Sequence, residues 1–417
     1  MKIYKFGGAS VKDADGVRNI PKIIKNSDDK LVVVVSAMGK TTNAMEQITD
    51  AYFKNDQQTL ENRLKVLKTY HLSIITELFG NENGSPRFSE QFEHLEVKLT
   101  KKPSMHYDFE YDRIVSLGEL MSTAIISDYF NKEKLNFKLV DIRTVLKTDD
   151  LYRDANVNWD LTVDLMQRTF TFEDTQFYLT QGFLGGTLSN LPTTLGREGS
   201  DYTAAIIGYA LNAKDVTIWK DVLGVMNADP RRYPDAQKID ELSYIEAIEL
   251  SYYGAQVIHP KTLKPLQNKD IPLFVKSFLN PDTAGTIISS SKNKKCHVPI
   301  FVIKPNQVFV TILPKDFSFI PEEKIIEVIN FFKQFRIKMN LMQNSALNFS
   351  ACFDKNKHTE ELFEVLGKDF LVRYNDDAEL ITIRNHNPEA IEKMTIGKTV
   401  LNSQVTRKVA MYVLKEK

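Results

Sequence analysis

Four short runs early in the chain constrain its fold more than any other feature, because they are apolar with almost no alternation. They are KLVVVVSAM (Lys30 to Met38), FKLVDI (Phe137 to Ile142), TQFYLTQGF (Thr175 to Phe183) and DVTIWKDV (Asp215 to Val222). A strand with one wet face alternates apolar and polar residues, so near-continuous apolar runs predict buried strands of a parallel sheet covered on both faces. Helical patterns fall between them, such as DRIVSLGELMSTAIISDYF (Asp112 to Phe130) and SDYTAAIIGYALNA (Ser200 to Ala213). Strands alternating with helices predict a three-layer α/β domain with a mainly parallel sheet. The charged stretch from Thr42 to about Pro103 has a helical pattern and no strand signal, and is expected as helices laid outside the sheet.

The polar SSSKNKK (Ser289 to Lys295) marks a composition break, which places the first domain at residues 1–290 and a second region at 296–417. The pattern then changes to VFVTIL, a helix over Glu322 to Phe335, strands in MNLM and LNFSACF, a helix over His358 to Leu366, and strands FLVRY and ELITIR. That β-α-β-β-α-β order predicts a ferredoxin-like module. The tail from Gln404 to Lys417 predicts at least one further strand, an incomplete second copy.

Lysine plus arginine equals aspartate plus glutamate, 54 each, so no global field favours nucleic acid or an anionic membrane. Two cysteines, Cys296 and Cys352, cannot form a disulfide framework, and no metal-type spacing is present. With no long apolar run and no signal-peptide plan at the N-terminus, a cytoplasmic enzyme is expected.

Four stretches carry candidate chemistry. In KFGGAS, Lys5 precedes Gly7 and Gly8 directly after a strand, where bare backbone N–H groups can approach an anion; a tight turn beside an exposed lysine is the other reading. SAMGKTTN contains GKTT but has Val34 where a P-loop needs its first glycine, so that motif fails. What remains is a strand end with Ser36, Gly39, Thr41, Thr42 and Asn43, at the kind of carboxyl edge where open α/β sheets bind ligands. In TTLGREGSDYTAA, Arg197 lies between Gly196 and Gly199 at a helix start, suited to clamp a carboxylate or phosphate; Ser200 and Asp201 are equally read as caps. IWKDVLGVMNADPRRY carries Lys220, Asp221, Gly224, Met226, Asp229 and Arg231, read as a lid or nucleotide edge or as a charged loop. Glu119 stands alone among apolar residues on a helical pattern. It is exposed or paired, or it turns into a cleft to receive an ammonium group.

In this order KFGGAS, VVVVSAMGKTTN, RIVSLGE, TTLGREGSD, WKDVLGVMNADPR and ELSYYGAQVIHP resemble the aspartate kinases of the amino-acid kinase family, over essentially the whole chain. The resemblance implies a carbamate-kinase-like αβα catalytic domain followed by two ACT-type modules, one abbreviated, that serve regulation or dimerisation. It implies ATP- and Mg²⁺-dependent phosphorylation of the β-carboxylate of L-aspartate, the entry step to lysine, threonine and methionine. It also implies a homodimer or higher homo-oligomer, and no dehydrogenase domain after Lys417. Carried over by position, Lys5 steadies the phosphoryl group, Gly7, Gly8 and Ser10 meet phosphate, and Asp201 organises the lysines and the metal. Ser36, Thr42 and Ser200 contact substrate, Glu119 takes the aspartate ammonium, and Arg197 its α-carboxylate. Lys220, Asp221, Met226, Arg231 and Gln256 line ATP, and no protein residue is assigned as a metal ligand.

Four positions depart from the family's pattern. Ala9 stands where members usually have threonine, with Ser10 the neighbouring hydroxyl. Glu198 replaces a glycine, Gln256 a lysine, and Met226 a tyrosine. The turn KDFSFIPEEK lacks the glycine expected where an effector's backbone contacts form, so weak or absent feedback by lysine is expected. Two other readings differ in class: a family member acting on another carboxylate, a carbamate or a nucleotide, and an amino-acid sensor with a decayed kinase domain. The Glu119 and Arg197 pair suits an α-amino acid.

Overall fold

The computed structural model describes residues 1–255, 258–290, 298–316 and 318–416. The chain divides into two compact units. The first comprises Met1–Val225, Lys238–Ile248 and Val257–Lys294, and the second Met226–Gln237, Glu249–Gln256 and Lys295–Lys417.

The chain opens with β1 (Lys2–Phe6), α1 (Ala14–Lys25) and β2 (Leu31–Val35). Four helices follow: α2 (Thr41–Phe53), α3 (Gln57–Phe79), α4 (Pro86–Leu99) and α5 (Tyr107–Lys132). Polar caps set their limits: Asp56 accepts from Thr59 N to start α3, Gly80 ends it at φ +84°, and Ser85 with Pro86 starts α4. Next come β3 (Phe137–Val140), α6 (Ile142–Val145), α7 (Trp159–Thr169), β4 (Phe177–Gln181), the hairpin of β5 (Leu184–Gly186) and β6 (Pro192–Thr194), α8 (Gly199–Ala210) and β7 (Val216–Lys220). After these lie β8 (Glu241–Ser243), α9 (Tyr244–Tyr253), α10 (Pro260–Asn268), β9 (Leu273–Ser277) and β10 (Thr286–Ser289).

Eight strands form one sheet in the order β3-β4-β2-β1-β7-β9-β10-β8, parallel at every pair except β9 with β10. Its central strands read as expected: β2 and β4 are buried at every residue, and β1 and β7 at all but one. Strand β3 departs from the expectation of burial. It forms the sheet edge, where Leu139 is 41% exposed, because only β4 pairs with it. No strand falls between α2 and α4, as the pattern of that segment predicted.

The second unit holds β11 (Ile300–Pro314), α11 (Glu322–Gln334), β12 (Met339–Asn344), β13 (Phe349–Asp354), α12 (Thr359–Asp369) and β14 (Phe370–Arg384). This is the β-α-β-β-α-β order read from the sequence. It continues with α13 (Pro388–Thr395), β15 (Lys398–Val405) and β16 (Val409–Glu416). The six strands pair antiparallel in the order β12-β13-β11-β14-β16-β15, the plan of ACT-type modules. FLVRY and ELITIR, read as separate strands, are one 15-residue strand. The polar NDDA between them stays in the sheet because the facing β11 shifts register between Lys304 and Gln307, and again before Phe309, while Asp377 turns to φ +58°. Each half of these long strands covers its own core. Val308, Val310 and Ile312 pack with α11 and α12, while Ile381 and Ile383 pack with Ala390, Met394, Ala410 and Leu414.

Candidate active site

Strands β4, β2, β1 and β7 are neighbours and parallel, so their carboxyl ends leave the sheet side by side. Here the chain leaves the strands through Gly182, Ser36, Gly7 and Asp221. The loops after β1 and β2 are tied together: Ser36 N donates to Phe6 O at 3.1 Å, and Gly39 N to Gly8 O at 3.0 Å. A Cβ on Gly8 would lie 2.9 Å from the Ala37 carbonyl oxygen, so only glycine permits this approach.

A cavity of about 660 Å³ opens above these strand ends, entirely within the first unit. The structure brings Lys5, Gly8, Ser36, Thr42, Glu119, Arg197, Ser200, Asp201 and Lys220 to its wall. Lys5 Nζ lies 2.6 Å from Asp201 Oδ1, and Lys220 Nζ lies 3.8 Å from Asp201 Oδ2. Burial by itself would push the Asp201 carboxyl up; Lys5 and then Lys220 outweigh it and hold the group below the usual carboxylate range. Asp201 sits in the first turn of α8, which reaches the sheet because Gly182 leaves room for Ser200; a Cβ there would meet the Ser200 Cβ at 2.5 Å.

Glu119 occupies the middle of α5, 3% exposed, with Oε2 lacking a hydrogen-bond partner. Burial pushes its carboxyl up to about 8, against the pull of Lys5 and the Ala37 backbone. A buried carboxyl with an unpartnered oxygen facing a cavity is suited to receive a cationic group. The N-terminus of α2 is fixed from behind: Thr41 Oγ1 lies 3.3 Å from His71 Nε2, and His71 Nδ1 lies 2.9 Å from the Leu67 carbonyl oxygen. The carbonyl leaves Nδ1 as the donor, so Nε2 accepts from Thr41. His71 is fully buried, and burial lowers its pKa to about 4, keeping the ring neutral.

Other residues expected at the site do not line this cavity. Gly7 is not on the cavity wall, although a Cβ there would come within 3.3 Å of Lys5 Nζ. Ser10 donates its hydroxyl to the Trp219 carbonyl at 3.2 Å, and Asp221 lies exposed beyond β7. Met226 and Arg231 belong to the second unit, where Arg231 pairs with Asp229. Gln256 lies outside the described residues. Glu198 adopts φ +54°, the left-handed region where glycine is at ease, and its Oε2 accepts from His259 N at 2.8 Å.

Sequence reasoning missed Glu46, Tyr111, Arg153 and Phe183, all on the cavity wall. Glu46 was within reach, since it follows Thr42 by four residues on α2 and so shares its face. Phe183 follows the end of β4 directly, whereas Arg153 sits in an irregular loop that no periodicity marks.

The carboxyl edge of a parallel sheet, a glycine-bared corner and two lysines gathered on one buried carboxylate define a phosphate-handling α/β protein, and the sequence agrees. The amino acid kinase family model matches residues 1–277, and the chain belongs to that family. Aspartokinases are among its relatives there. Chloroplastic aspartokinase 2 of Arabidopsis thaliana is 31% identical over 412 residues, covering 95% of this chain and 71% of the relative. Lysine-sensitive aspartokinase 3 of Escherichia coli is 29% identical over 366 residues, covering 86% of this chain and 79% of the relative. The chain spans 63% of chloroplastic aspartokinase 1 and 32% of the bifunctional aspartokinase/homoserine dehydrogenase 2 of Arabidopsis thaliana. Among solved structures, Escherichia coli aspartokinase III in complex with lysine and aspartate shares the fold, with a TM-score of 0.83 at 24% identity, covering 99% of this chain and 95% of that one.

Proposed function

We propose that this chain is an aspartate kinase, transferring the γ-phosphoryl group of ATP to the β-carboxylate of L-aspartate to give 4-phospho-L-aspartate. The observation that carries this reading is a single cavity holding both halves of such a reaction: Lys5, Asp201 and Lys220 with the Gly8 corner, and Glu119 with Arg197. The likeness to aspartokinases over 95% of the chain supports it, and the likeness of fold extends to a solved Escherichia coli aspartokinase III complex with aspartate and ADP.

The acceptor carboxylate, with a pKa near ~4, is ionised at neutral pH, so no base has to remove a proton. One carboxylate oxygen attacks the γ-phosphorus, the bond to the bridging oxygen breaks, and its electrons leave with ADP. The obstacle is bringing one anion to another, so fixed charge and positioning carry the catalysis. Asp201 holds Lys5 at the strand end, Lys5 and Lys220 face the transferring group, Arg197 clamps the α-carboxylate, and Glu119 takes the ammonium. Ser36, Thr42 and Ser200 supply hydroxyls around the acceptor.

Among the described residues no group of three or more His, Cys, Asp or Glu side chains could hold a metal ion. Mg²⁺ usually binds through nucleotide phosphates and one or two carboxylates, and Asp201 on the cavity wall is the carboxylate proposed for it. When bound, Mg²⁺ would neutralise phosphate charge. Gly7, Ser10, Asp221, Met226, Arg231 and Gln256 keep their proposed nucleotide roles on the strength of sequence position alone.

The second unit is proposed to join two copies of the chain, since among the described residues β12 and β15 are the edge strands of its sheet. A cytoplasmic setting is proposed: two cysteines in 417 residues suit a reducing compartment, and no helix among the described residues is long and apolar enough to cross a membrane. The function is tested by ADP release that depends on added L-aspartate. Release with other acids but not aspartate would transfer the reading to another acceptor.

A further inference from the structure

We propose that Arg153 is a specificity-determining residue of this cavity, a second arginine that joins Arg197 on the α-carboxylate of the acceptor. The inference deepens the aspartate kinase reading and rests on it.

Arg153 lies on the cavity wall, in the loop between α6 and α7. It holds φ +71°, the left-handed region that costs a non-glycine residue about 1 kcal/mol or more. Packing does not repay that cost, because the side chain is 47% exposed. The conformation is enforced instead by a buried carboxylate. Both Asp112 oxygens accept from Arg153 N, at 3.2 and 3.1 Å, and Asp112 also accepts from Thr194 N at 2.8 Å and Thr194 Oγ1 at 2.7 Å. Farther along, Asp149 accepts from Leu151 N and Asn156 N, and Ala155 N donates to Thr194 O. The loop is therefore pinned on both sides of Arg153, in a backbone geometry that has to be maintained.

That geometry presents the guanidinium at the cavity. It stacks 4.4 Å from the Tyr111 ring centre and donates to Asp108 Oδ1 at 3.1 Å. Tyr111 is itself fixed, with its hydroxyl donating to Glu46 Oε1 at 2.5 Å. Stacking on an aromatic face leaves the guanidinium's N–H edge to carboxylates, and in the empty cavity Asp108 takes one of its donors. The loop also adjoins the one that carries Arg197: a Cβ on Gly196 would lie 3.2 Å from the Arg153 carbonyl oxygen. Two arginines on touching loops thus line the same cavity. An exposed ion pair such as Arg153 with Asp108 contributes little and is readily exchanged for a substrate carboxylate.

The test is steady-state kinetics of Arg153→Gln, Arg153→Lys and Asp108→Asn in the full chain. Arg153→Gln is expected to raise KM for aspartate roughly tenfold with kcat within about twofold, the scale of one lost charge-assisted contact made equally in ground and transition states. Arg153→Lys restores part of the affinity, and Asp108→Asn, which removes the competing carboxylate, lowers KM. The inhibition constant of 3-aminopropanoate, which keeps the amine and the accepting carboxylate but lacks the α-carboxylate, stays the same in Arg153→Gln and wild type. An unchanged aspartate KM in Arg153→Gln, or an equal loss for 3-aminopropanoate, overturns the proposal. Wild-type protein that releases no ADP with aspartate overturns the underlying function instead.

Discussion

The buried Glu119 makes aspartate capture depend on pH in a calculable way. Its carboxyl sits at about 8 because burial dominates, and only the ionised form can pair with the substrate ammonium. At pH 7 roughly one molecule in ten is then ionised, and at pH 6 roughly one in a hundred, so apparent affinity falls by the same fractions. The quantity kcat/KM for aspartate is therefore expected to climb about tenfold per unit from about pH 6 to about pH 8, then flatten. Initial rates of ADP release at saturating ATP, low aspartate and fixed ionic strength measure it. Glu119→Gln, which keeps the shape and removes the titration, should lie far below wild type at pH 8 and lose the slope. A flat wild-type profile, or an equal slope in Glu119→Gln, would refute the assignment. Stability carries the opposite sign. The folded carboxyl keeps its proton over a range where the unfolded chain has lost it, so the empty protein loses stability as pH rises from the ordinary carboxylate range toward 8.

Three further outcomes follow from the site. Lys5→Ala should lower kcat by roughly 10²- to 10³-fold with an unchanged circular dichroism spectrum, the scale of losing one preorganised charge contact; near-normal kcat would be incompatible with the mechanism. His71 is neutral in the fold, with a pKa lowered to about 4, so the unfolded chain binds a proton first as pH falls below about 6.5. Acidification from there toward pH 4 should cost about 3 kcal/mol of stability through this residue alone, and denaturant melts of His71→Gln should show a flatter acid limb. Lysine and threonine at concentrations that saturate sensitive relatives should leave the rate nearly unchanged, given the glycine-free turn from Lys315 to Glu322; strong inhibition by either would overturn that expectation.

The parallel sheet was legible because burial on two faces leaves a direct trace: VVVV in β2 has no polar residue to spare for solvent. The same reasoning misjudged FKLV, since an edge strand borrows apolar residues without burying them all. In the second unit the β-α-β-β-α-β order was readable, but the continuity of β14 was not. A register shift in the facing strand carries NDDA through the sheet, and pairing across roughly 70 residues leaves no local signal. At the site, Lys5, Arg197 and Asp201 were marked by the glycines and helix start around them. Arg153 had no such marker, because what positions it is Asp112, 41 residues earlier, together with a loop without periodicity. Glu119 was visible as a residue, but its orientation was not; the structure buries it on the cavity wall, a placement no local pattern reports.

The most direct test of the central claim is to trap the product. Purified chain, Mg²⁺-ATP and L-aspartate in the presence of hydroxylamine should yield aspartyl hydroxamate in proportion to ADP, because an acyl phosphate reacts with that nucleophile. Lys5→Ala should yield almost none. ADP formed without hydroxamate, or hydroxamate formed only from a different acid, would contradict the account.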